Sequence, residues 1–157
     1  MKIAVLLKQV PDLAEELEVD DSGKALDTEY IKFKLDEYDE HALEEAVCLK
    51  EAGQASEITA IALDGDEVDK ALFTSMAKGA DKAIKIMGAE VDGSRATASI
   101  FAEAVGNEYD LIMTGVQSVD DSEGMMGPML SSILKIPCLS VVTRVEGGDS
   151  GIVVHKE

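Results

Sequence analysis

The most informative stretch for chemistry is a loop that contains several glycines and leads into an apolar, methionine-rich segment. It covers residues 115–128 and includes Gly115, Gly124, Gly127 and Pro128. A glycine-containing loop that opens onto a helix N-terminus offers backbone N–H groups and the positive end of the helix dipole, which suits a phosphate group. The loop has neither the Gly-Lys-Ser/Thr of a Walker A motif nor a G-x-G-x-x-G fingerprint. The pattern therefore leaves two interpretations open: a phosphate site, or a helix start built from turn-forming residues.

No catalytic or metal site is predicted from the other reactive residues. Asp120, Asp121 and Glu123 could form paired carboxylates for general acid–base catalysis, but a solvated acidic loop accounts for them more simply in so acidic a chain. The two histidines, His41 and His155, are far apart in the sequence, which argues against a metal site. No serine or cysteine lies in a recognisable nucleophile motif. These residues therefore indicate no specific catalytic or metal site.

The elements that must position the loop follow from the hydrophobic pattern. Buried strands are predicted at residues 2–10, 57–63, 82–87, 109–114 and 139–143. Amphipathic helices are predicted at residues 37–51, 66–79, 94–105 and 124–134. Strands that alternate with helices predict right-handed βαβ crossovers. The predicted fold is therefore a single α/β domain over residues 1–157, a three-layer sandwich whose mostly parallel sheet carries helices on both faces.

Local signals refine these helices. Asp66 is predicted to cap the second helix, which would bury Val68, Leu72 and Met76. Ser94 is predicted to cap the third. The buried side of that helix is predicted to hold Thr97, Phe101, Ala104 and Val105. Polar hairpins are expected around residues 20–23 and 147–148.

Charge limits the partners that the chain can bind. The formal net charge is −18, from 32 acidic and 14 basic residues, and the basic residues are scattered. A polyanion such as DNA or RNA, or an anionic membrane surface, would be repelled. The sequence shows neither a targeting segment nor a long apolar run. We therefore expect a cytoplasmic location, no nucleic-acid partner and no stable membrane insertion.

Ligands of open α/β sheets bind beyond the carboxyl ends of the strands, where the strand order reverses. Unusual sequence follows three of the predicted strands, at residues 8–11, 63–66 and 115–128. These segments are the predicted surroundings of a ligand.

Four segments resemble the electron transfer flavoprotein β family. KIAVLLKQVPD, at residues 2–12, is similar to the opening strand of that family and the turn after it. LDEYDEHALEEA, at residues 35–46, resembles its segment ending in A-L-E-E-A. KGADKA, at residues 78–83, matches its Gly-Ala-Asp turn, and YDLIMTGVQSVD, at residues 109–120, is close to its Gly-x-Gln signature. The segments have the family's order and spacing and cover almost the whole chain, so together they are specific.

The resemblance implies an adenine nucleotide alpha-hydrolase-like, Rossmann-type fold. It also implies a heterodimer with an α subunit that holds a redox FAD, and exchange of electrons with acyl-CoA or other dehydrogenases. The expected protein is thus an electron carrier subunit and not itself an enzyme. The β subunit of the family contributes AMP, or a second FAD in electron-bifurcating members. The family continues beyond the matched segments, so the chain is predicted to be the N-terminal part of the subunit, without its partner-embracing C-terminal segment.

Carried over by position, the resemblance implies contacts between the nucleotide and residues at the strand ends, at the start of the first helix and in the loop. These predicted cofactor-binding residues are Leu6, Asp36, Glu37, Tyr38, Asp39, Leu63, Gly115, Val116, Gln117, Ser118, Val119, Asp120, Gly124, Met125 and Met126. The family often has side-chain phosphate donors where this chain has Gly124, Met125 and Met126, so phosphate contacts here would come from the backbone alone.

Two alternatives remain open at this stage. A stand-alone ATP- or AMP-binding domain of the universal-stress-protein type would share the βαβ architecture, but it would need a glycine-rich phosphate loop with Ser/Thr donors. A bifurcating β subunit with a redox-active FAD is the other alternative, because Gly127-Pro128 resembles that subclass.

Overall fold

The computed structural model describes residues 1–14, 16–29, 31–88, 91, 93–148 and 151–157. In chain order the elements are β1 (Lys2–Leu7), β2 (Gln9–Pro11), β3 (Phe33–Leu35), α1 (Glu37–Glu51), β4 (Glu57–Leu63), α2 (Val68–Lys78), β5 (Lys82–Ile86), α3 (Ser94–Val105), β6 (Leu111–Met113), α4 (Met126–Leu134), β7 (Val142–Gly148) and β8 (Gly151–Lys156).

The central sheet has the order β5-β4-β1-β6, and every neighbouring pair in it is parallel. From β1 the chain moves outward through β4 to β5, and then returns to place β6 on the other side of β1. The strand order therefore reverses between β1 and β6. The continuous apolar run from Ile3 to Leu7 is buried along its length, as expected for a strand covered on both faces.

Helices cover both faces of the sheet. One buried cluster joins Ile3 and Val5 of β1 to side chains of α1 and α2. A second cluster joins Ala4 and Leu6 to Phe101 of α3 and to α4. Because successive side chains of a strand point to opposite faces, β1 contributes to both clusters. The predicted three-layer α/β sandwich is confirmed.

Helix α1 forms where the sequence predicts it. Asp36 caps the helix, since its side chain accepts a hydrogen bond from the Tyr38 N–H, a contact that typically contributes about 1 kcal/mol. Acidic residues in the first turn and Lys50 in the last turn complement the helix dipole. The buried side carries Leu43 and Leu49 against the sheet.

The predicted starts of α2 and α3 are wrong in detail. The N-cap of α2 is Glu67, at φ 56°, and not Asp66. Met76 is exposed, whereas Ser75 is buried and returns its hydroxyl to the backbone of the preceding turn. A small residue whose hydroxyl is satisfied within the helix can therefore occupy the core position that the pattern gave to methionine.

In α3 the N-cap is Gly93, and Ser94 is the first helical residue. Phe101 and Val105 are buried as predicted, but Ala104 is exposed and Ala102 is buried instead. Ser94 therefore does not cap the helix, and its hydroxyl instead donates a hydrogen bond to Asp121 in the loop after β6.

The first predicted strand is two elements. β1 ends at Leu7, and β2 pairs antiparallel with β3 in a separate two-stranded sheet. The polar hairpin predicted near residues 20–23 is present as an antiparallel bridge between Val19 and Leu26.

The predicted strand at residues 139–143 is wrong. Residues 136–140 have no regular structure, and β7 begins at Val142 and pairs with β8 outside the central sheet. The two arms of the predicted C-terminal hairpin are confirmed, while their connection, Asp149 and Ser150, lies outside the described residues. Within the described part of the chain, no helix is long and apolar enough to cross a membrane.

Candidate functional site

A cleft of about 850 Å³ lies at the carboxyl edge of the sheet, the edge where β1, β4 and β6 end. Its walls come from residues 6–9 after β1, residues 63–66 after β4 and the loop after β6, and the first residues of α3 and α4 complete it. The cleft opens where the strand order reverses, because neighbouring chains leave the sheet in different directions at that point. The sequence-based prediction of a cleft among these segments agrees with this geometry.

Apolar side chains form the deeper walls. Leu6 and Phe101 are buried, and Leu63 and Phe33 are partly buried. Ligand pockets typically combine such apolar walls with a few placed polar groups.

Asp39 lies at the base of the cleft and joins two strand ends. The Lys8 N–H donates to its Oδ2 at 2.7 Å, and the Gly115 N–H donates to its Oδ1 at 2.7 Å. Burial raises the pKa of Asp39 to about 7, with the negative Asp36 adding to the rise, although the two N–H groups oppose it. The carboxyl group therefore titrates in the neutral range.

Gly115 is required by this contact. A Cβ added at position 115 would lie 2.6 Å from Asp39 Oδ1 and 2.9 Å from the Cβ of Tyr38. Both distances are shorter than any normal contact to carbon, so a side chain at position 115 would displace the carboxyl group. Because Gly115 has no side chain, the Asp39 carboxyl group can approach the backbone at this position.

Lys8 binds the loop through its side chain. Its ammonium group lies 2.8 Å from Asp120 Oδ2 and donates to Ser118 Oγ at 3.2 Å. Burial alone would raise the pKa of Asp120, but the hydrogen bonds from Lys8 and Ser118 outweigh it and hold that pKa below its usual value. Asp120 is therefore the ionised partner of Lys8.

Further contacts hold the loop against α3. Ser118 and Asp121 exchange backbone hydrogen bonds of 3.2 Å in both directions, and the Ser94 hydroxyl donates to Asp121 Oδ2. Two of the acidic side chains that could repel a phosphate, Asp120 and Asp121, are thus occupied by partners.

The helix that follows the loop begins at the cleft. Met126 and Gly127, its first two residues, line the cleft, and Pro128 has no N–H. The N–H groups in the first turn of a helix lack intrahelical acceptors. Gly124, at φ 62°, lies so close to Val116 O that an added Cβ would be 2.8 Å away, which fixes a glycine at this turn.

Most of the predicted cofactor-binding residues come together here. The cleft is lined by Leu6, Asp39, Leu63, Gly115, Val116, Gln117, Ser118, Asp120, Gly124 and Met126. The other predicted residues, Asp36, Glu37, Tyr38, Val119 and Met125, lie outside the lining as the structure describes it. Asp36 is buried as the cap of α1, and Glu37, Tyr38, Val119 and Met125 are exposed.

The predicted set omitted several residues of the cleft. Lys8, Gln9, Phe33, Ser94 and Phe101 all line it. Lys8 and Gln9 belong to the segment 8–11, which the rule on strand ends had included in the predicted surroundings of a ligand, whereas Phe33, Ser94 and Phe101 lie outside the three predicted segments. The Oε1 atom of Gln9 is buried with no hydrogen-bond partner among the described residues, which leaves an acceptor for a ligand donor.

The cleft is acidic overall. Its lining includes Asp64, Asp66 and Glu123 in addition to Asp39, Asp120 and Asp121. Lys8 is the one basic side chain among the described lining residues. No group of three potential metal-ligating side chains is found in the described ranges. An anionic group in this cleft would depend on backbone N–H donors.

The fold is a three-layer α/β sandwich with a cleft where the strand order reverses, and comparison with known proteins gives the family. Residues 24–157 match the family model described as "Electron transfer flavoprotein domain". The chain therefore belongs to the electron transfer flavoprotein family, as the sequence motifs predicted.

The relatives that match are β subunits. The chain is 32% identical to the "Electron transfer flavoprotein subunit beta" of Methylophilus methylotrophus over 100% of this chain and 62% of that protein. It is 33% identical to the protein of the same name from Bacillus subtilis, over 93% of this chain and 57% of that one. It is 35% identical to the one from Syntrophomonas wolfei, over 93% and 58% respectively. The chain thus spans about three fifths of the length of these relatives.

Proposed function

We propose that this chain is the nucleotide-binding part of an electron transfer flavoprotein β subunit, and that its cleft binds an adenine nucleotide. The β subunit pairs with an FAD-carrying α subunit in the cytoplasm, and the complex carries electrons between acyl-CoA or other dehydrogenases and an acceptor. The observation that supports this most directly is the cleft at the point where the strand order reverses. Family membership favours this function over a stand-alone nucleotide-binding domain.

The adenine lies between the apolar walls in this proposal. Leu6 and Leu63 contact its faces, and backbone groups of residues 116–117 contact its edge. The Gly115 N–H is engaged by Asp39 and does not contribute. The unpartnered Oε1 of Gln9 can accept a hydrogen bond from the exocyclic amino group or from a ribose hydroxyl.

The phosphate lies against the start of α4. Met126 and Gly127 supply N–H donors, and the helix dipole favours the negative charge. Because Met125 and Met126 offer no side-chain donors, affinity rests on the backbone. Glu123 is exposed and leaves the phosphate unobstructed when it extends into solvent.

The nucleotide is AMP or a second FAD. Ligand pockets span about 300–1,000 Å³, and the cleft of about 850 Å³ has room for either. Gly127-Pro128 resembles the bifurcating subclass, which carries the second FAD, but two residues do not decide between the two forms.

Coexpression with the α subunit of the same organism tests the proposal. We expect a heterodimer, and extraction of its cofactors should release either one flavin with AMP or two flavins. One flavin plus AMP identifies a conventional carrier, and two flavins identify a bifurcating subunit. A heterodimer without any adenine nucleotide in the β subunit would refute the proposed site, and a complex free of flavin would refute the proposed function.

A further inference from the structure

We propose that Asp39 is the positioning residue of the cleft: its carboxylate fixes the separation between the ends of β1 and β6, and so the width of the crevice in which the nucleotide lies. This inference rests on the proposed function in one respect, that the cleft binds an adenine nucleotide. It assigns Asp39 a role that acts through Lys8 and Gly115 and not through a contact with the ligand.

The geometry supports this role at the point where the sheet ends. The last register pair between β1 and β6 is Val5 with Met113. Beyond that pair the two chains separate, and the Asp39 side chain bridges them by accepting the N–H groups of Lys8 and Gly115, each at 2.7 Å. A side chain from α1 thus takes the place of the missing strand-to-strand hydrogen bonds.

Both carboxyl oxygens are engaged, and the side chain is almost completely buried. Asp39 has a relative exposure of 6%. Its contact with Gly115 leaves no room for a Cβ, so the spacing of the two chains matches the size of the carboxyl group. Moving the backbone of Lys8 also moves its ammonium group, which holds Asp120 and Ser118 of the loop. Asp39 therefore sets the position of the floor and of one wall of the cleft.

The protonation state of Asp39 decides whether the bridge is complete. The ionised carboxylate accepts both N–H groups in charge-assisted hydrogen bonds, whereas the protonated acid is a weaker acceptor, above all at the oxygen that carries the hydrogen. Burial raises the pKa of Asp39 to about 7, against the effect of the two N–H donors. The charged groups that act on it are Asp36 before α1 and Lys8 after β1, and Lys8 is itself paired with Asp120 of the loop. The bridge is complete above about pH 7 and weakened below it.

Nucleotide titrations over a pH range test the proposal. The affinity of the full chain for FAD is measured from about pH 6 to about pH 8, where the pyrophosphate of FAD does not titrate, with AMP as a second probe. We expect the wild type to bind FAD about tenfold more weakly at the lower pH, the effect of losing one hydrogen bond to a charged group. Asp39→Asn should bind weakly at every pH, because its amide can accept only one of the two N–H groups.

Asp110→Asn is the matched control. Asp110 Oδ2 accepts the Lys2 N–H at 2.7 Å, so this residue joins the same two strands at the opposite edge of the sheet. We expect Asp110→Asn to retain the affinity and pH profile of the wild type. A wild-type affinity that does not change with pH, or an Asp39→Asn profile equal to that of Asp110→Asn, would overturn the proposal.

NMR of the wild type without ligand gives a readout that does not depend on the variant's folding. The amide protons of Gly115 and Lys8 should shift with a common midpoint near the pKa of Asp39, and their protection factors, which correct for the intrinsic pH dependence of exchange, should be smaller below that midpoint. If the wild type binds neither nucleotide while these amides titrate together, the proposed function fails and the bridge stands. If the amides do not titrate, the positioning role fails whatever the cleft binds.

Discussion

Aspartates join neighbouring strands at both edges of the central sheet, but in different surroundings. At the carboxyl edge, Asp39 is buried and accepts two backbone N–H groups from the ends of β1 and β6. At the amino edge, where the strands begin, Asp110 joins the same two strands through the Lys2 N–H. Also at that edge, Asp81 accepts the Ile58 N–H at 2.9 Å and binds a lysine.

The pKa shifts of the aspartates at the two edges have opposite directions. Lys50, followed by the Ile58 N–H, holds the pKa of Asp81 below its usual value, so its ionised form stabilises the fold. Burial raises the pKa of Asp39, so its ionised form destabilises the fold. The charged form of Asp39 opposes folding, and Asp39 lies at the edge where the cleft opens. A destabilising charge in such a place is typical of a functional site, where the required geometry outweighs its cost in stability. The comparison therefore assigns stability to the amino edge and positioning to the carboxyl edge.

The largest expected effect is on the pH dependence of stability. The pKa of Asp39 rises from 3.8 to about 7 on folding, so the folded state retains a proton that the unfolded state loses. Its contribution to the free energy of unfolding should therefore decrease as pH rises from about 4 to about 7, by at most about 4 kcal/mol. Asp39→Asn removes this slope, and chemical denaturation at several pH values measures it.

Because other groups titrate over the same range, the informative quantity is the difference between wild type and variant. The stability of Asp39→Asn relative to the wild type should increase with pH and level off above about pH 7. A difference that is constant with pH would mean that the two edges carry electrostatically similar carboxylates, and the comparison would fail.

The next largest effect is expected from Gly115→Ala. The added Cβ would overlap Asp39 Oδ1, so the carboxyl group must move or the strands must separate. We expect a loss of about 2 to 3 kcal/mol in the free energy of unfolding, as in other overpacked sites, together with a strong loss of FAD affinity. Calorimetry of unfolding and FAD titration measure the two quantities.

Gly148→Ala is the control for this substitution. An added Cβ there would lie 3.3 Å from Val153 Cγ2, in a hairpin whose described residues do not line the cleft. It should change stability by less than about 0.5 kcal/mol. An equally small effect of Gly115→Ala would contradict the prediction, because it would show that Asp39 can move away from Gly115 at little cost in stability.

The strands and helices of the domain differ in how well the sequence predicts them. Buried parallel strands such as β1 and β4 consist of continuous apolar runs, and α1 has a cap and a clear apolar face, so their types follow from local pattern. Residues 139–143 have the same apolar pattern but do not join the sheet. An apolar run shows that a segment favours burial, and it does not show which neighbour covers it.

The candidate site likewise has one part that follows from local sequence and one part that does not. The loop after β6 was predicted from its glycines and from the rule on strand ends, because both are properties of the chain in sequence. The bridge from Asp39 to Gly115 joins residues that are 76 positions apart. Nothing local to either residue signals that contact, since it depends on the distance between β1 and β6 in the folded sheet.

A smaller effect is expected from Lys8→Met, which removes the side-chain contact at the carboxyl edge. Lys8 and Asp120 are partly exposed, so their ion pair contributes no more than about 1 kcal/mol. We expect global stability to stay close to that of the wild type, while hydrogen exchange of the Ser118 and Asp121 amides accelerates about fivefold. Lys82→Met, which removes an ion pair with Glu57 at the amino edge, should leave these amides unchanged.

The smallest effect is expected from Asp81→Asn at the amino edge. The pKa of Asp81 is lowered in the folded state, so its stabilising effect is present above its ordinary pKa of 3.8 and is lost as pH falls below it. The side chain is 37% exposed, and screening limits the contribution to about 0.5 kcal/mol. Denaturation at neutral pH should show this loss, and the difference should vanish in acid. FAD affinity should not change, because Asp81 stabilises strands that begin at the amino edge and positions nothing in the cleft. A weakened affinity would show that the two edges are coupled through the sheet, and the division between them would have to be abandoned.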